Sequence, residues 1–312
     1  MAKVLVTGGA GFIGSHLTTA LVERGDEVVV LDNLSTGRME NLRHLEGRYR
    51  LIQGDVLDHH TVHTACTGVQ IVFHQAALAS VPRSIAAPLE THAACATGTL
   101  NVLEAGRANG VSRVIYAGSS SAYGDQPFQS KREVDLPRPL SPYAVAKLTG
   151  EYYCQAFTAS YGLPTVVIRY FNVFGPRQDP HSEYSAVIPK FVTTMLNGGR
   201  PTIYGDGSQS RDFTYVDNVV QGNLAAATSA TAVGRVINVA CGVQVTLLNL
   251  VASINKALGT NVEPIMVEPR RGDVRMSLAD LSLARELLAY EPVVDFDEGL
   301  RRSISYYRAS LG

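Results

Sequence analysis

Tyr143 and Lys147, in the run SPYAVAKLTGEYY, form the only Tyr-x-x-x-Lys pair in this chain of 312 residues. A spacing of four puts the phenol and the ammonium on one face of a helix, where the cation favours the phenolate and draws the tyrosine pKa down from about 10. Tyr143 is then a candidate general base near neutral pH. Alone, the pair also fits a solvated helix face, so its meaning rests on what surrounds it.

Upstream, VLVTGGAGFIGSHL places Gly8, Gly11 and Gly14 between a strand pattern and a helix pattern. Such glycines let the backbone turn tightly and approach a pyrophosphate at the helix N-terminus. Their spacing, G-x-x-G-x-x-G, differs from the G-x-G-x-x-G of the usual dinucleotide fingerprint. Asp32 closes the second strand-like run, where a carboxylate accepts hydrogen bonds from both ribose hydroxyls and repels a 2'-phosphate, favouring NAD over NADP. A turn role for Asp32-Asn33 is the plain alternative. Asp55, in QGDV, could reach the adenine edge or merely shape a turn. Ser119-Ser120-Ser121 follows the fifth strand-like run, at the kind of strand end where this class of sheet places its ligands. These features with the Tyr-Lys pair point to redox chemistry at a sugar hydroxyl.

The elements that must position these groups are legible as alternation. KVLVTG, EVVVLDN, YRLIQGD, IVFHQAA, RVIYAGS and TVVIRYF read as strands with helical patterns between them. Repeated βα units predict an α/β fold with a doubly wound, parallel Rossmann-type sheet. After about Gly175 the texture becomes rich in loops, arginines and aromatics, as in FGPRQDPHSEYS and YGDGSQSRDF. The expected division is a dinucleotide-binding domain over residues 1–174, with returns near 212–242 from FTYVDNVV and VINVACG, and a smaller substrate-binding domain over 175–312.

A formal net charge of -1 and a pI of about 6.7 give no footprint for nucleic acid and no polybasic membrane patch. No apolar run approaches a membrane span and no signal pattern opens the chain, so the expectation is a soluble cytoplasmic protein. Cys66, Cys95, Cys154 and Cys241 are scattered without C-x-x-C spacing, which predicts reduced buried thiols and no zinc site. His59, His60 and His63 follow Asp58 at an exposed helix start, with no further ligand to complete a metal set.

In order along the chain, TGGAGFIG, DNLSTG, GDV, HQAA, SSSAYG, YAVAK, RYFNVFGP, SRDF and PRRGD resemble the extended short-chain dehydrogenase/reductase family, and within it the NAD-dependent UDP-sugar 4-epimerases. The resemblance spans essentially the whole chain. It implies that Gly8, Gly11, Phe12, Ile13 and Gly14 hold the pyrophosphate, that Asp32, Asn33, Ser35, Thr36 and Gly37 hold the adenosine ribose, and that Asp55 and Val56 contact adenine. Gln75, Ala76, Ala77, Lys147 and Tyr170 would complete the cofactor site. Asn172, Arg211, Arg270 and Asp273 would grip a UDP group, since guanidiniums suit a diphosphate. Ser80, Ser120, Ser121, Val187, Lys190, Tyr204 and Ser277 would line the sugar side, with Ser277 as a small gatekeeper that leaves room for a 2-acetamido group.

By resemblance, counting four residues back from Tyr123 as the family motif does gives Ser119 as the catalytic hydroxyl beside Tyr143 and Lys147. By resemblance, Tyr143 takes the C4 hydroxyl proton while hydride passes to NAD; the 4-keto sugar turns over, and hydride returns to its opposite face. Ser120-Ser121 stand where related 4,6-dehydratases carry Asp-Glu and UDP-glucuronate decarboxylases Ser-Glu, which argues for plain epimerisation of UDP-glucose or UDP-N-acetylglucosamine. A UDP-glucuronate 4-epimerase, using Ser120 with Arg177 for the carboxylate, is the nearest alternative; a dehydratase, a decarboxylase and a non-catalytic NAD-binding protein are further ones. Cys95 replaces an asparagine usual in the family. The resemblance also implies a homodimer through helices around 97–108 and 143–160.

Overall fold

Six apolar runs become parallel strands of one sheet: β1 Lys3–Thr7, β2 Glu27–Asp32, β3 Arg50–Gln53, β4 Ile71–His74, β5 Arg113–Ser119 and β6 Thr165–Tyr170. The computed structural model describes residues 1–126, 130–180, 186–269 and 275–311. Short pieces follow at β7 Val173–Phe174, β8 Thr202–Tyr204, β9 Ser210–Asp212 and β10 Thr214–Tyr215, then β11 Val236–Val239, β12 Gln244–Thr246 and β13 Ile265–Val267. The main sheet has seven strands in the order β11-β6-β5-β4-β1-β2-β3. Its order reverses between β1 and β4, and a crevice opens there at the strands' C-terminal ends. VINV thus joins the sheet edge, whereas FTYVDNVV does not: Thr214–Tyr215 pairs with β7 and the rest turns helical.

The helices are α1 Phe12–Glu23, α2 His59–Cys66, α3 Val81–Ala86, α4 Pro88–His92, α5 Gly98–Ala108, α6 Pro142–Tyr161, α7 Val187–Leu196, α8 Val216–Thr228, α9 Leu247–Leu258, α10 Ser282–Leu288 and α11 Phe296–Leu311. Strands buried on both sides need cover on both faces. Val4, Val6, Val28 and Val30 pack with Leu17 and Leu21 of α1 and Val219 of α8; Leu5, Val29 and Leu31 pack with Val62 of α2 and Val102 of α5. A separate cluster from α7, α9 and α11 with Phe174, Phe213 and Tyr215 forms the core of the C-terminal part.

The longest of these helices, α6, carries the Tyr-Lys pair. Ser141 caps it by accepting the Ala144 N–H at 3.2 Å, Pro142 opens its first turn, and Gly162 ends it at φ 68°. Ala144, Ala146, Lys147, Gly150, Glu151, Cys154 and Phe157 form its buried face. Gly150 is obligatory in that row, because a Cβ there would collide with the Tyr116 hydroxyl. Three of the thiols are buried as expected, while Cys241 is half-buried. In α2, Asp58 accepts the His60 N–H at 3.0 Å, and the His59 and His63 rings lie 6.5 Å apart.

Candidate active site

One cavity of about 1500 Å³ runs along the strand ends, and the glycine turn, the Tyr-Lys pair and residues of the C-terminal part all border it. After β1 the chain enters the glycine turn. A side chain at Gly8, held at φ 68°, would bring its Cβ within 2.7 Å of the Ala76 nitrogen, and one at Gly14 would collide with the Gly8 carbonyl. Only hydrogen fits at either place. Gly11 caps α1 without a side-chain hydrogen bond, so the first-turn amides of that helix have no side-chain acceptor at the cap.

Asp32, at the end of β2, accepts the N–H of Ala10 at 2.9 Å and of Leu34 at 2.8 Å. Gly37 packs so closely that a Cβ would come within 2.8 Å of its carboxylate oxygens. Asn33 donates to Asp55 at 2.7 Å, tying the ends of β2 and β3 together. A glycine cradle, an uncapped helix N-terminus and a carboxylate at the second strand fit a dinucleotide without a 2'-phosphate. All the residues expected to hold the cofactor, from Gly8 to Tyr170, border the cavity.

Ser119 ends β5, and its hydroxyl lies 2.8 Å from that of Ser121 while accepting the Ser121 N–H at 3.2 Å. It also lies close enough to Tyr143 to favour the phenolate. Tyr143 is partly exposed, towards the cavity. Here the sequence reading needs correction: burial drives the Tyr143 phenol above its ordinary pKa, and the opposing effect comes from the Ser119 hydroxyl, not from a nearby Lys147 charge. The Lys147 ammonium instead rests over the Tyr116 ring, 4.5 Å from its centroid, and burial lowers its pKa.

Cys95 is fully buried in a π turn, Ala93–Thr97, packed with Ala146 and Tyr143. Insertions of this kind recur at functional sites. Beneath lies His74, fully buried, its Nδ1 2.7 Å from Thr7 Oγ1 and its Nε2 2.9 Å from Thr99 Oγ1. Thr99 already donates to the Cys95 carbonyl at 2.7 Å, so the histidine's proton sits on Nε2 and Thr7 donates to Nδ1. Burial first, then Lys147, push the His74 pKa down to about 3. Tyr170 is pinned by Asn223, which donates to its hydroxyl at 2.8 Å, and by Gln75 at 3.1 Å; burial pushes its phenol up to about 12.

On the far side, Ser80, Ser120, Ser121, Asn172, Arg211 and Ser277 border the cavity. Asn172 adopts φ 34° and donates to the Asp212 carbonyl at 3.2 Å. The buried Asp212 carboxylate accepts the amides of Cys241, Gly242 and Ala279, which pins the segment bearing Ser277; burial pushes its pKa up to about 6. Val187, at the start of α7, packs on the C-terminal core; Lys190 is exposed, and Tyr204 ends β8; these three do not border the cavity. Arg270 and Asp273 lie outside the described residues.

Arg177 is not poised with Ser120. Its guanidinium is turned to α1, donating to Thr19 Oγ1 at 3.1 Å and Ser15 Oγ at 3.4 Å, with His44 at 3.3 Å. The sequence reading also passed over Arg38 and Asp179, which pair at 2.6 Å across the cavity mouth, and Asn223. The Arg38–Asp179 pair joins positions 141 residues apart, which no local pattern signals.

The chain matches the family described as NAD dependent epimerase/dehydratase over residues 4–240. It is 39% identical over 316 aligned residues to a UDP-glucose 4-epimerase of Mycolicibacterium smegmatis, covering 98% of each chain. A solved UDP-N-acetylglucosamine 4-epimerase of Methanobrevibacter ruminantium, in complex with UDP-N-acetylmuramic acid, is 41% identical with a TM-score of 0.95 over 99% of both chains. A UDP-glucuronic acid 4-epimerase of Bacillus cereus, in complex with UDP-glucuronic acid and NAD, is 32% identical with a TM-score of 0.92, again over 99% of both.

Proposed function

The chain belongs to the NAD-dependent epimerase/dehydratase family, and on that premise we propose that it is an NAD-dependent 4-epimerase of a UDP-hexose. It interconverts UDP-glucose with UDP-galactose, or their 2-acetamido counterparts, through a transient 4-keto sugar. The observation that carries this is the meeting of Ser119, Tyr143 and Lys147 in one cavity with the glycine cradle on one side and Arg211 and Ser277 on the other.

NAD, when bound, supplies a hydride acceptor that also returns what it takes. The protein does the rest. Tyr143 takes the C4 hydroxyl proton and later gives it back, and Ser119, beside the phenol, shares that proton and offsets the cost of burying the phenolate. Lys147, one turn further along α6 and also bordering the cavity, is assigned to the nicotinamide ribose. We assign Gly8, Gly11, Phe12, Ile13 and Gly14 to the pyrophosphate, Asp32, Asn33, Ser35, Thr36 and Gly37 to the ribose, and Asp55 and Val56 to adenine. Arg211, Asn172 and Ser277 serve the UDP-sugar. Residues 1–174 with the returning segment near 212–242 form the cofactor domain, and 175–312 the sugar domain.

The relatives named as UDP-glucose and UDP-N-acetylglucosamine 4-epimerases support this choice of substrate. The likeness to a UDP-glucuronic acid 4-epimerase supports a second reading, although Arg177 is engaged with α1. Ser120-Ser121 supply no acid-base pair for a dehydratase or decarboxylase. The enzyme works in the cytoplasm as a homodimer, a pairing supported by the exposure of Val145 and Tyr152 on α6. No helix among the described residues is long and apolar enough to cross a membrane.

The test is to incubate the purified protein separately with UDP-glucose, UDP-N-acetylglucosamine and UDP-glucuronate, and to follow C4 inversion by proton NMR. Inversion of either hexose supports the proposal, inversion of the uronate alone supports the second reading, and inversion of none after NAD is supplied removes both.

A further inference from the structure

Glu151 stands one turn beyond Lys147 on the buried face of α6, so Tyr143, Lys147 and Glu151 recur at intervals of four. Its side chain is 1% exposed. Arg169 of β6 holds both carboxylate oxygens, through Nε at 3.1 Å to each and through Nη2 at 2.7 Å to one. The guanidinium itself lies over the Tyr123 ring, 4.5 Å from its centroid, and Tyr123 donates to Asn238 at 2.8 Å. The Ser119 backbone N–H faces the same carboxylate. A Cβ at Gly118 would come within 3.0 Å of Glu151 Oε1, so the end of β5 lies directly on this group.

A buried ion pair is a poor means of stabilising a fold, because desolvation offsets most of the attraction. This one even leaves Arg169 Nη1 without a hydrogen-bond partner. What the pair touches explains its presence better than its own stability does. We infer that Glu151, clamped by Arg169, is a positioning residue for the reaction: it fixes the strand end that carries Ser119 and supplies the negative charge that keeps Lys147 protonated in its buried place.

The surroundings of Lys147 leave Glu151 as its charged neighbour. Tyr143 and Cys154 face it from α6, Cys95 from the π turn, His74 from β4 and Tyr116 from β5. Burial keeps His74 neutral and holds Tyr116 and Cys154 protonated. Burial likewise lowers the Lys147 pKa, and Cys95, Glu151 and Cys154 beside it oppose that fall, Glu151 being the one carboxylate among them.

The role in catalysis rests on the epimerase reading, so the test has a readout that does not. The chain has five lysines, few enough for ¹³Cε-labelled lysine resonances to be resolved, with Lys147→Arg assigning the one of interest. In Glu151→Gln, Lys147 is expected to titrate at lower pH than in the wild type. Turnover should show about a tenfold fall in kcat with KM little changed, and an alkaline limb of the kcat profile moved to lower pH. Should that variant not fold, Glu151→Met with Arg169→Met replaces the pair by apolar groups and carries the same expectation. An unchanged Lys147 titration in a folded variant overturns the inference. Failure of the wild type to turn over any nucleotide sugar removes the epimerase reading, and the lysine titration still decides the role of Glu151.

Discussion

Tyr116 and Lys147 are tied together twice: the phenol donates to the Lys147 carbonyl at 3.1 Å, and the lysine ammonium rests 4.5 Å above the centre of the same ring. The tyrosine therefore sets both the height of α6 over the sheet and the place of the cation. It reaches the helix only because Gly150 has no side chain. Gly150→Ala should accordingly cost about 1–3 kcal/mol in stability by overpacking, against the usual gain from Ala in a helix, and should lower kcat by displacing Lys147. Urea unfolding and turnover of the same preparation check both.

Tyr143→Phe removes the proton acceptor while keeping the ring. We predict a loss in kcat of about a thousandfold, with the melting temperature nearly unchanged. Ser119→Ala should cost roughly a hundredfold, and because it removes the hydroxyl that opposes burial at the phenol, the acid limb of the kcat profile should move to higher pH. An acid limb that stays in place would assign Ser119 to binding alone.

Asp32→Ala should weaken NAD binding and reduce the preference for NAD over NADP, since the carboxylate that favours the ribose diol and repels a 2'-phosphate is lost. The same change frees the amides of Ala10 and Leu34, so the turn should also loosen. Equilibrium binding of the two cofactors to stripped protein gives the ratio, and an unchanged ratio would place cofactor choice elsewhere.

His74 gives the protein an acid sensitivity of definite sign. Its pKa is about 3 in the fold against about 6.5 when unfolded, so protons bind the unfolded chain more readily between those values. The stability that neutral His74 contributes is whole above pH 6.5 and declines as pH falls towards 3, by about 1.4 kcal/mol per unit. His74→Gln supplies an acceptor and a donor without the titration. Urea unfolding from pH 7 to pH 5 should show the wild type losing stability faster than the variant, and parallel curves would contradict this.

The six strands and the residues that border the cavity at their ends were legible because their signals are local: apolar runs that end in or just before Gly8, Asp32, Gln75 and Ser119, and the Tyr143-Lys147 spacing on one helix face. The pairs β7 with β10, β9 with β12 and β8 with β13 were not, since two or three residues show no period. The π turn at Cys95 has no composition of its own. The fourfold spacing that singled out Tyr143 and Lys147 also reaches Glu151, but its partner Arg169 comes from a strand placed by sheet register. Nor does spacing measure burial, which is why the expected effect of Lys147 on the Tyr143 phenol gave way to desolvation.

In the proposed reaction, hydride leaves C4 and returns to it without meeting solvent. UDP-glucose deuterated at C4, or the 2-acetamido sugar if that is the one inverted, tests this in a single incubation read by mass spectrometry and proton NMR. The inverted product is expected to keep its deuterium at C4, with none appearing in water. Inversion with loss of the label to solvent would contradict it.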